Sequence, residues 1–169
     1  MPQDLDPAAP ADFDFIIGDW RVLHERLNAR LAGCTEWTRF EGRTSTRRIL
    51  GGWGNLEDNL LHLPSGPYRA AAMRSFDAAT GQWAIWWLDS RAPHALDVPV
   101  RGAFEHGVGV FHADDTLDGR HIRVRFTWHI GNDGHPRWEQ AFSPDGGQTW
   151  ETNWRMLFIR LNAAARGPL

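Results

Sequence analysis

The sequence predicts an all-β protein, an antiparallel up-and-down β-barrel of about ten strands with a short helix near the N-terminus. Apolar and polar residues alternate with a period of two along most of the chain, in segments bounded by Gly, Pro, Asn and Asp. A helical period is nowhere sustained beyond about two turns, so no crossover helices are available to connect parallel strands. Closing an antiparallel sheet into a barrel is the simplest way to remove its unpaired edges.

The first predicted element is a short helix over residues 12–17, with Asp12 as its N-cap and Gly18 at its end. Strands follow wherever the alternation resumes between turn residues. Glycines at Gly51, Gly52 and Gly54 predict a sharp bend or bulge between the third and fourth strands. The predicted strands span residues 19–25, 36–44, 46–50, 56–63, 68–76, 82–89, 98–105, 109–113, 121–130, 137–143 and 150–161.

The turn before the last strand has a known pattern. Residues 143–150 match S-x-D-x-G-x-T-W, which resembles the Asp-box of sialidases and other β proteins. In such a turn Asp145 accepts backbone N–H bonds and Trp150 packs beneath. The pattern occurs once, in a chain too short for a propeller, so it indicates a structural hairpin turn.

Length and composition indicate one barrel domain over residues 13–161, with flexible segments at 1–12 and 162–169. A chain of this size buries roughly 70% of its unfolded surface, so it needs no disulfides, and Cys34 is its one cysteine. The N-terminus lacks the basic and apolar regions of a signal peptide, and no apolar stretch approaches a membrane span, so we expect a cytoplasmic protein without a membrane partner. The 18 basic and 21 acidic residues form no basic block, which argues against a nucleic-acid partner.

The unusual feature of the composition is its ten tryptophans, beside nine phenylalanines and one tyrosine. Trp is large and seldom fully buried, so a small domain with this many must pack them as a core or line a cavity with them. In the strand over 82–89, alternation places Trp83, Trp87 and Asp89 on one face, which we assign to the interior. The predicted wall of a ligand pocket consists of Trp87, Trp128 and Trp154.

A few polar residues share the parity of the apolar ones and are predicted to point inward. A charge at Arg74 would need a partner in an apolar barrel, either Asp89 or a ligand carboxylate, so Arg74 is one half of a structural ion pair or an anion clamp. Gln140 is a single amide among apolar neighbours and needs a hydrogen-bond partner. Asn55 and Glu57 share one parity after the glycine bend, which fits either polar groups at the barrel mouth or a hydrated loop-edge face. The predicted polar contacts of a ligand are Arg74, Glu57, Gln140, Asp89 and Asn55.

The start of the first strand, Ile17-Gly18-Asp19-Trp20, resembles the Gly-x-Trp opening of lipocalins and their calycin relatives, including nitrobindin-like barrels. The resemblance implies that Trp20 plugs one end of the barrel and that Arg160, from the last strand, packs over it. Residues 13–160 also resemble an uncharacterised bacterial family of lipocalin-like barrels, which carries GDW early, FD…TG.W.I.W in the middle and RWEQAFS.DGG.TWE.NW late. That family implies no settled activity.

The sequence predicts neither a metal site nor a cofactor. None of the eight histidines falls at H-x-H, H-E-x-x-H or a comparable ligand spacing. Haem-binding nitrobindin-like barrels take their iron ligand from a histidine near the C-terminus, whereas the last histidine here is His135, in or next to a turn.

Three functions stay open at this point. The leading hypothesis is a barrel that binds a small apolar or aromatic ligand, anionic ligands included, because stacking walls with few polar groups are typical of ligand pockets. The second is a small cofactor-free enzyme, an isomerase, hydratase or cyclase, with an interior acid and base such as Glu57 and Asp89. The third is a filled barrel that serves as a structural module or forms a homodimer.

Overall fold

Ten antiparallel strands close into one barrel, in which each strand pairs with its neighbours in sequence and the first pairs with the last. The computed structural model describes residues 4–161. In the closing pair, Trp20 lies opposite Arg160 at one end and Arg26 lies opposite Trp154 at the other. The predicted all-β up-and-down barrel is therefore confirmed. Its strands are β1 (Gly18–Leu27), β2 (Trp37–Ile49), β3 (Gly54–Leu63), β4 (Gly66–Asp77), β5 (Gln82–Asp89), β6 (Val100–Glu105), β7 (Val108–Leu117), β8 (Arg120–His129), β9 (Arg137–Ser143) and β10 (Glu151–Arg160).

The predicted N-terminal helix is a single 3-10 turn, Asp14–Ile16, without a side-chain capping bond. Asp12 is not its cap, since its carboxylate accepts a hydrogen bond from Trp83 Nε1 at 3.0 Å. The Asp12 carboxylate thus fastens the N-terminal segment to β5 and does not cap a helix. No helix within residues 4–161 is long and apolar enough to span a membrane.

Two strands predicted over 36–44 and 46–50 form the single strand β2. The side-chain alternation continues through Ser45, whose hydroxyl donates to Asp19 Oδ1 at 2.8 Å. The predicted glycine bend follows as a second 3-10 turn, Leu50–Gly52, where Gly51 and Gly52 have φ angles of 63° and 102°. These left-handed conformations favour glycine because it has no Cβ.

The predicted tail over 162–169 lies outside the described residues. Residues 4–12 run along the barrel, where Asp6 Oδ2 accepts a hydrogen bond from Trp53 Nε1 at 2.9 Å. The flexibility of residues 1–12 stays a prediction.

The interior of the barrel has two contrasting walls. Inward side chains of β2, β3 and β4 include a polar set, whereas those of β8, β9 and β10 are mostly aromatic or aliphatic. The polar wall consists of Thr44, Thr46, Asn55, Glu57, Asn59 and Arg74. The apolar wall includes Val124, Trp128, Trp138, Phe142, Trp154, Met156 and Phe158.

One end of the barrel is closed by the N-terminal segment, because Phe13 inserts its ring among the aromatic side chains of the interior. The Phe13 ring meets those of Trp83 and Phe104 edge-on, each with a centroid distance of 4.9 Å. It also meets Trp128 edge-on at 6.1 Å. Phe13 is only 2% exposed, so its ring acts as a plug at this end of the barrel.

Trp20 and Arg160 complete this closed end in the way that the lipocalin resemblance implies. Trp20 Nε1 donates to the carbonyl oxygen of Ile16 at 2.7 Å. The Cζ atom of Arg160 lies 4.1 Å from the centroid of the Trp20 ring, and its guanidinium donates to the carbonyl oxygens of Ile17 and Phe15 at 3.0 and 3.1 Å. The last strand is thereby fastened to the N-terminal segment.

The other end is open, and two long connections border it. Residues 28–36 join β1 to β2, and the backbone N–H of Leu31 in this connection donates to Glu151 Oε1 at 2.7 Å. Residues 90–99 join β5 to β6, which pair only between Trp83 and Ile85 on the β5 side. The end of β5 that carries Trp87 is therefore free of β6 and borders the opening.

The Asp-box turn between β9 and β10 has the predicted structure. Asp145 Oδ1 accepts hydrogen bonds from the backbone N–H groups of Gln148 and Thr149 at 3.0 and 2.9 Å. Trp150 Nε1 donates to the carbonyl oxygen of Gly147 at 3.0 Å. These bonds are internal to the hairpin turn, which confirms its structural role.

Candidate functional site

The open end of the barrel leads into a cavity of about 480 Å³. Its inner wall consists of three indole rings, Trp87, Trp138 and Trp154, together with Phe126. The ring of Trp154 stands nearly perpendicular to those of Trp87 and Trp138, with centroids 5.8 and 5.5 Å apart. Edge-to-face contacts between the indoles stabilise this arrangement, so an apolar aromatic surface is presented to the cavity.

A smaller chamber of about 30 Å³ lies beneath this wall. It shares Ile85, Trp87, Phe126 and Trp138 with the larger cavity and extends to Arg74. Its volume suits about one water molecule or the terminal atom of a ligand. The shared side chains therefore form the boundary between the open cavity and the polar wall.

A buried ion pair lies beside the inner chamber. Arg74 Nη2 donates to Glu57 Oε2 at 2.6 Å, and Arg74 Nη1 donates to Asn55 Oδ1 at 2.8 Å. Both charged side chains are only 3% exposed. The guanidinium Cζ lies 5.1 Å from the ring centroid of Phe13 and 5.4 Å from that of Trp128. Because Glu57 neutralises Arg74, this arginine belongs to a structural ion pair rather than to a free anion clamp.

Four buried polar atoms lack a hydrogen-bond partner among the described residues: Thr44 Oγ1, Asn59 Nδ2, Arg74 Nε and Asn153 Nδ2. Such atoms are rare in native proteins, because leaving a buried polar group unpaired is costly. Since Arg74 lines the inner chamber, its Nε–H can donate to a water molecule or to an oxygen atom of a ligand there.

His24 is buried on the same inner face of β1 as Trp20. Its ring stacks on Phe40, with centroids 4.6 Å apart and an interplanar angle of 7°. Its Nδ1 atom accepts a hydrogen bond from Trp154 Nε1 at 3.2 Å. Burial, assisted by the positive charge of Arg26, lowers the pKa of His24 to about 3. His24 is therefore neutral near pH 7, which leaves Nδ1 able to hold the Trp154 indole.

The burial of neutral His24 predicts a loss of stability in acid. Between the ordinary pKa of 6.5 and the folded pKa of about 3, the unfolded chain binds a proton at this residue and the folded chain does not. We expect His24 alone to lower the free energy of unfolding by about 1.4 kcal/mol per pH unit within this interval.

Urea unfolding at about pH 7, 5 and 4 checks this expectation against His24→Gln, which retains an acceptor for the indole but does not titrate. Carboxylates contribute to acid unfolding of both proteins, so the relevant quantity is the difference between them. We expect this difference to shift in favour of the variant as the pH falls. A difference that is constant with pH would contradict the assignment.

Charged side chains surround the mouth of the cavity. Arg91 and Asp89 form an ion pair at 2.6 Å, and the Cζ atom of Arg91 lies 3.7 Å from the ring centroid of Tyr68. The other charged residues that line the cavity are Arg26, Arg30, Asp97 and Asp115. Within residues 4–161, none of these four is in an ion pair. The mouth thus combines one ion pair, Arg91 with Asp89, with two arginines and two aspartates that form no ion pair.

Seven of the eight predicted ligand contacts line one or both of the two spaces. Trp87, Trp154, Gln140 and Asp89 line the open cavity. The inner chamber is lined by Trp128, Arg74 and Glu57, and again by Trp87. Asn55 lines neither space and instead holds Arg74. The predicted place of Asn55 and Glu57 at the barrel mouth is wrong, because both contact Arg74, whose guanidinium lies beside the Phe13 ring of the closed end. Contact of these side chains with a ligand stays a prediction.

Some expected partnerships are wrong. Arg74 does not pair with Asp89, because Asp89 lies opposite Ala70, about 13 Å along β4 from Arg74. The suggested acid and base, Glu57 and Asp89, are not brought together as a couple, since each carboxylate is bound to its own arginine. Gln140 finds its partner in the protein, donating from Nε2 to Asn153 Oδ1 at 2.7 Å.

Several residues of the mouth were missed by the sequence analysis. Alternation along β1 could have placed Arg26 on the inner face, because it shares the parity of Trp20 and His24. It was missed because the first strand was predicted to stop at residue 25. Arg30 and Asp97 lie in the two long connections, where no alternation indicates which way a side chain points.

A larger depression, about 1000 Å³, lies on the outer surface over β1, β2, β9 and β10. Its charged residues are all in ion pairs, either with one another or with neighbours on the surface. Arg39 contacts Glu25 at 2.8 Å, and Arg155 contacts Glu139 at 3.2 Å. An outer surface with satisfied charges makes a weaker candidate than the interior, where buried polar atoms lack partners.

Within residues 4–161 no group of three or more His, Cys, Asp or Glu side chains is placed to hold a metal ion. No family profile matches the chain, and no curated protein is similar enough to count as a relative. The candidate site is therefore characterised by its own geometry.

Proposed function

We propose that the protein binds a small aromatic or apolar molecule in the open-end cavity of its barrel. The observation that carries this proposal is the cavity of about 480 Å³, which has an open mouth and an inner wall of three indole rings. Ligand cavities in proteins typically measure roughly 300–1,000 Å³ and combine apolar walls with a few polar groups. The aromatic rings of a guest would gain both apolar burial and edge-to-face contacts with this wall.

Two further observations support a binding function. The closed end and the open end of the barrel are built differently, with Phe13, Trp20 and Arg160 closing one of them. A barrel that is plugged at one end and open at the other is suited to hold a molecule that enters from the mouth. The same plug supports the resemblance to lipocalin-like barrels, which we adopt as part of this proposal.

Filling the cavity by mutation tests the proposal. Val124 is 7% exposed and lines the cavity from β8, whereas Val110 is 37% exposed on the outer face of β7. We expect Val124→Phe to weaken binding of naphthyl probes at least about tenfold, because the added ring occupies the space of the guest. The matched variant Val110→Phe is expected to leave affinity unchanged.

The measurement is isothermal titration calorimetry with four compounds that share a naphthalene ring: 2-(2-naphthyl)ethanol, 3-(2-naphthyl)propionate, 2-(2-naphthyl)ethylamine and 3-(2-naphthyl)alanine. At least one is expected to bind the wild-type protein. Absence of binding by all four, or equal weakening by both valine variants, would overturn the proposed function.

A further inference from the structure

The mouth of the cavity separates charges of opposite sign by their position in the barrel. Arg26 is on β1 and Arg30 on the connection that follows it, whereas Asp115 is on β7 and Asp97 on the connection between β5 and β6. In the ring of ten strands, β7 is four steps from β1, and β6 is five steps away in either direction. The two arginines and the two aspartates therefore come from well-separated strands, and the side chains of Arg30 and Asp97 meet closely enough to interact electrostatically.

The arginine side rests on aromatic rings. The Cζ atom of Arg26 lies 4.8 Å from the ring centroid of Trp154, and that of Arg30 lies 5.4 Å from the ring centroid of Phe142. Burial and the charge of Arg26 lower the pKa of Arg30 to about 10, so the Arg30 guanidinium remains charged near pH 7. Two cations are thus held beside one another at the cavity wall.

On the aspartate side, acidic groups lie near one another. Burial, together with the charges of Asp115 and Asp89, raises the pKa of Asp97. Asp89 is already neutralised by Arg91, so Asp97 and Asp115 are the acidic groups left without an ion-pair partner among the lining residues that the structure describes. Arg30 and Asp97 influence each other electrostatically without forming an ion pair.

We propose that the ligand is zwitterionic, with an aromatic body against the indole wall, an anionic group at Arg26 and Arg30, and a cationic group at Asp97 and Asp115. This inference rests on the proposed function of the cavity. A zwitterion would relieve the crowding of like charges on both sides of the mouth at once. An anion alone would face the aspartates, and a cation alone would face the arginines, so each would gain on one side and be repelled on the other.

The four naphthyl compounds test this inference, because they differ mainly in the charges of the side chain. We expect 3-(2-naphthyl)alanine to bind at least about tenfold more tightly than the propionate, the ethylamine and the alcohol. Arg30→Gln is expected to weaken the zwitterion and the propionate but not the ethylamine. Asp97→Asn and Asp115→Asn are expected to weaken the zwitterion and the ethylamine but not the propionate.

Matched variants control for changes in overall charge. Asp114→Asn removes the charge of the residue next to Asp115, and the Asp114 side chain is exposed on the outer face of β7. Arg47→Gln removes an exposed arginine from the outer face of β2. Neither is expected to change the order of affinities. If the alcohol or the propionate binds as tightly as the zwitterion, the inference is wrong while the binding function stands. If none of the four compounds binds, the proposed function itself fails.

Discussion

Replacing Arg74 by methionine is expected to lower the free energy of unfolding by about 3–5 kcal/mol, because it leaves the Glu57 carboxylate buried without its counter-ion. The side chains of both residues are almost completely shielded from water, and Arg74 also holds Asn55. Removing one partner of a buried pair costs more than the pair contributes, since an uncompensated charge remains in an apolar interior.

Two comparisons make this expectation specific. Arg69→Met removes an arginine from the outer face of the same strand, where its ion pair with Asp58 is about half exposed, and is expected to cost less than about 1 kcal/mol. The double variant Arg74→Met with Glu57→Leu removes both buried charges and is expected to recover most of the stability lost in the single variant. Urea unfolding curves supply all three values. Equal stability of Arg74→Met and Arg69→Met would contradict the role of the buried pair.

Truncating the Phe13 side chain at the closed end is expected to lower the free energy of unfolding about as much as the loss of Arg74. Phe13→Ala removes a buried ring that contacts Trp83, Phe104 and Trp128, so we expect a loss of about 3–5 kcal/mol from lost burial and the cavity left behind. The ring also covers the guanidinium of Arg74, which lies 5.1 Å from its centroid. The truncation therefore weakens the plug and the environment of the buried ion pair together.

Phe15→Ala is the matched control, because Phe15 lies two residues further along and is only partly buried. A clearly smaller loss is expected for it, since less surface is returned to water. Urea and thermal unfolding of both variants measure the difference. If Phe13→Ala were no more destabilising than Phe15→Ala, the description of Phe13 as the plug of the barrel would be wrong.

Much of the fold was predictable because alternation assigns side chains to the two faces of a strand. Parity grouped Trp83 and Trp87 on one face of β5, the face that was assigned to the interior. The prediction of a helix capped by Asp12 was wrong because a tertiary contact replaces the local capping bond. The Asp12 carboxylate accepts a hydrogen bond from the Trp83 indole instead. Local signals of this kind do not include the neighbours that folding supplies.

The candidate site was less predictable for a related reason. Parity indicated that Arg74 points inward and that Asn55 and Glu57 share a face, but not that these residues meet, because that depends on the register of β3 against β4. Register is decided by the packing of the whole sheet and by the turns, which a single strand does not reveal. The mouth was harder still, since Arg30 and Asp97 lie on connections without any alternation.

The sequence by itself determined that this chain forms an antiparallel barrel with indoles gathered inside it, because a period of two and a surplus of tryptophan are properties of the chain read in order. Only the tertiary structure decided that Arg74 is neutralised by Glu57 and that two arginines and two aspartates gather around one open mouth. These relations join residues distant in sequence, and closure of the barrel is the physical event that places them around one cavity.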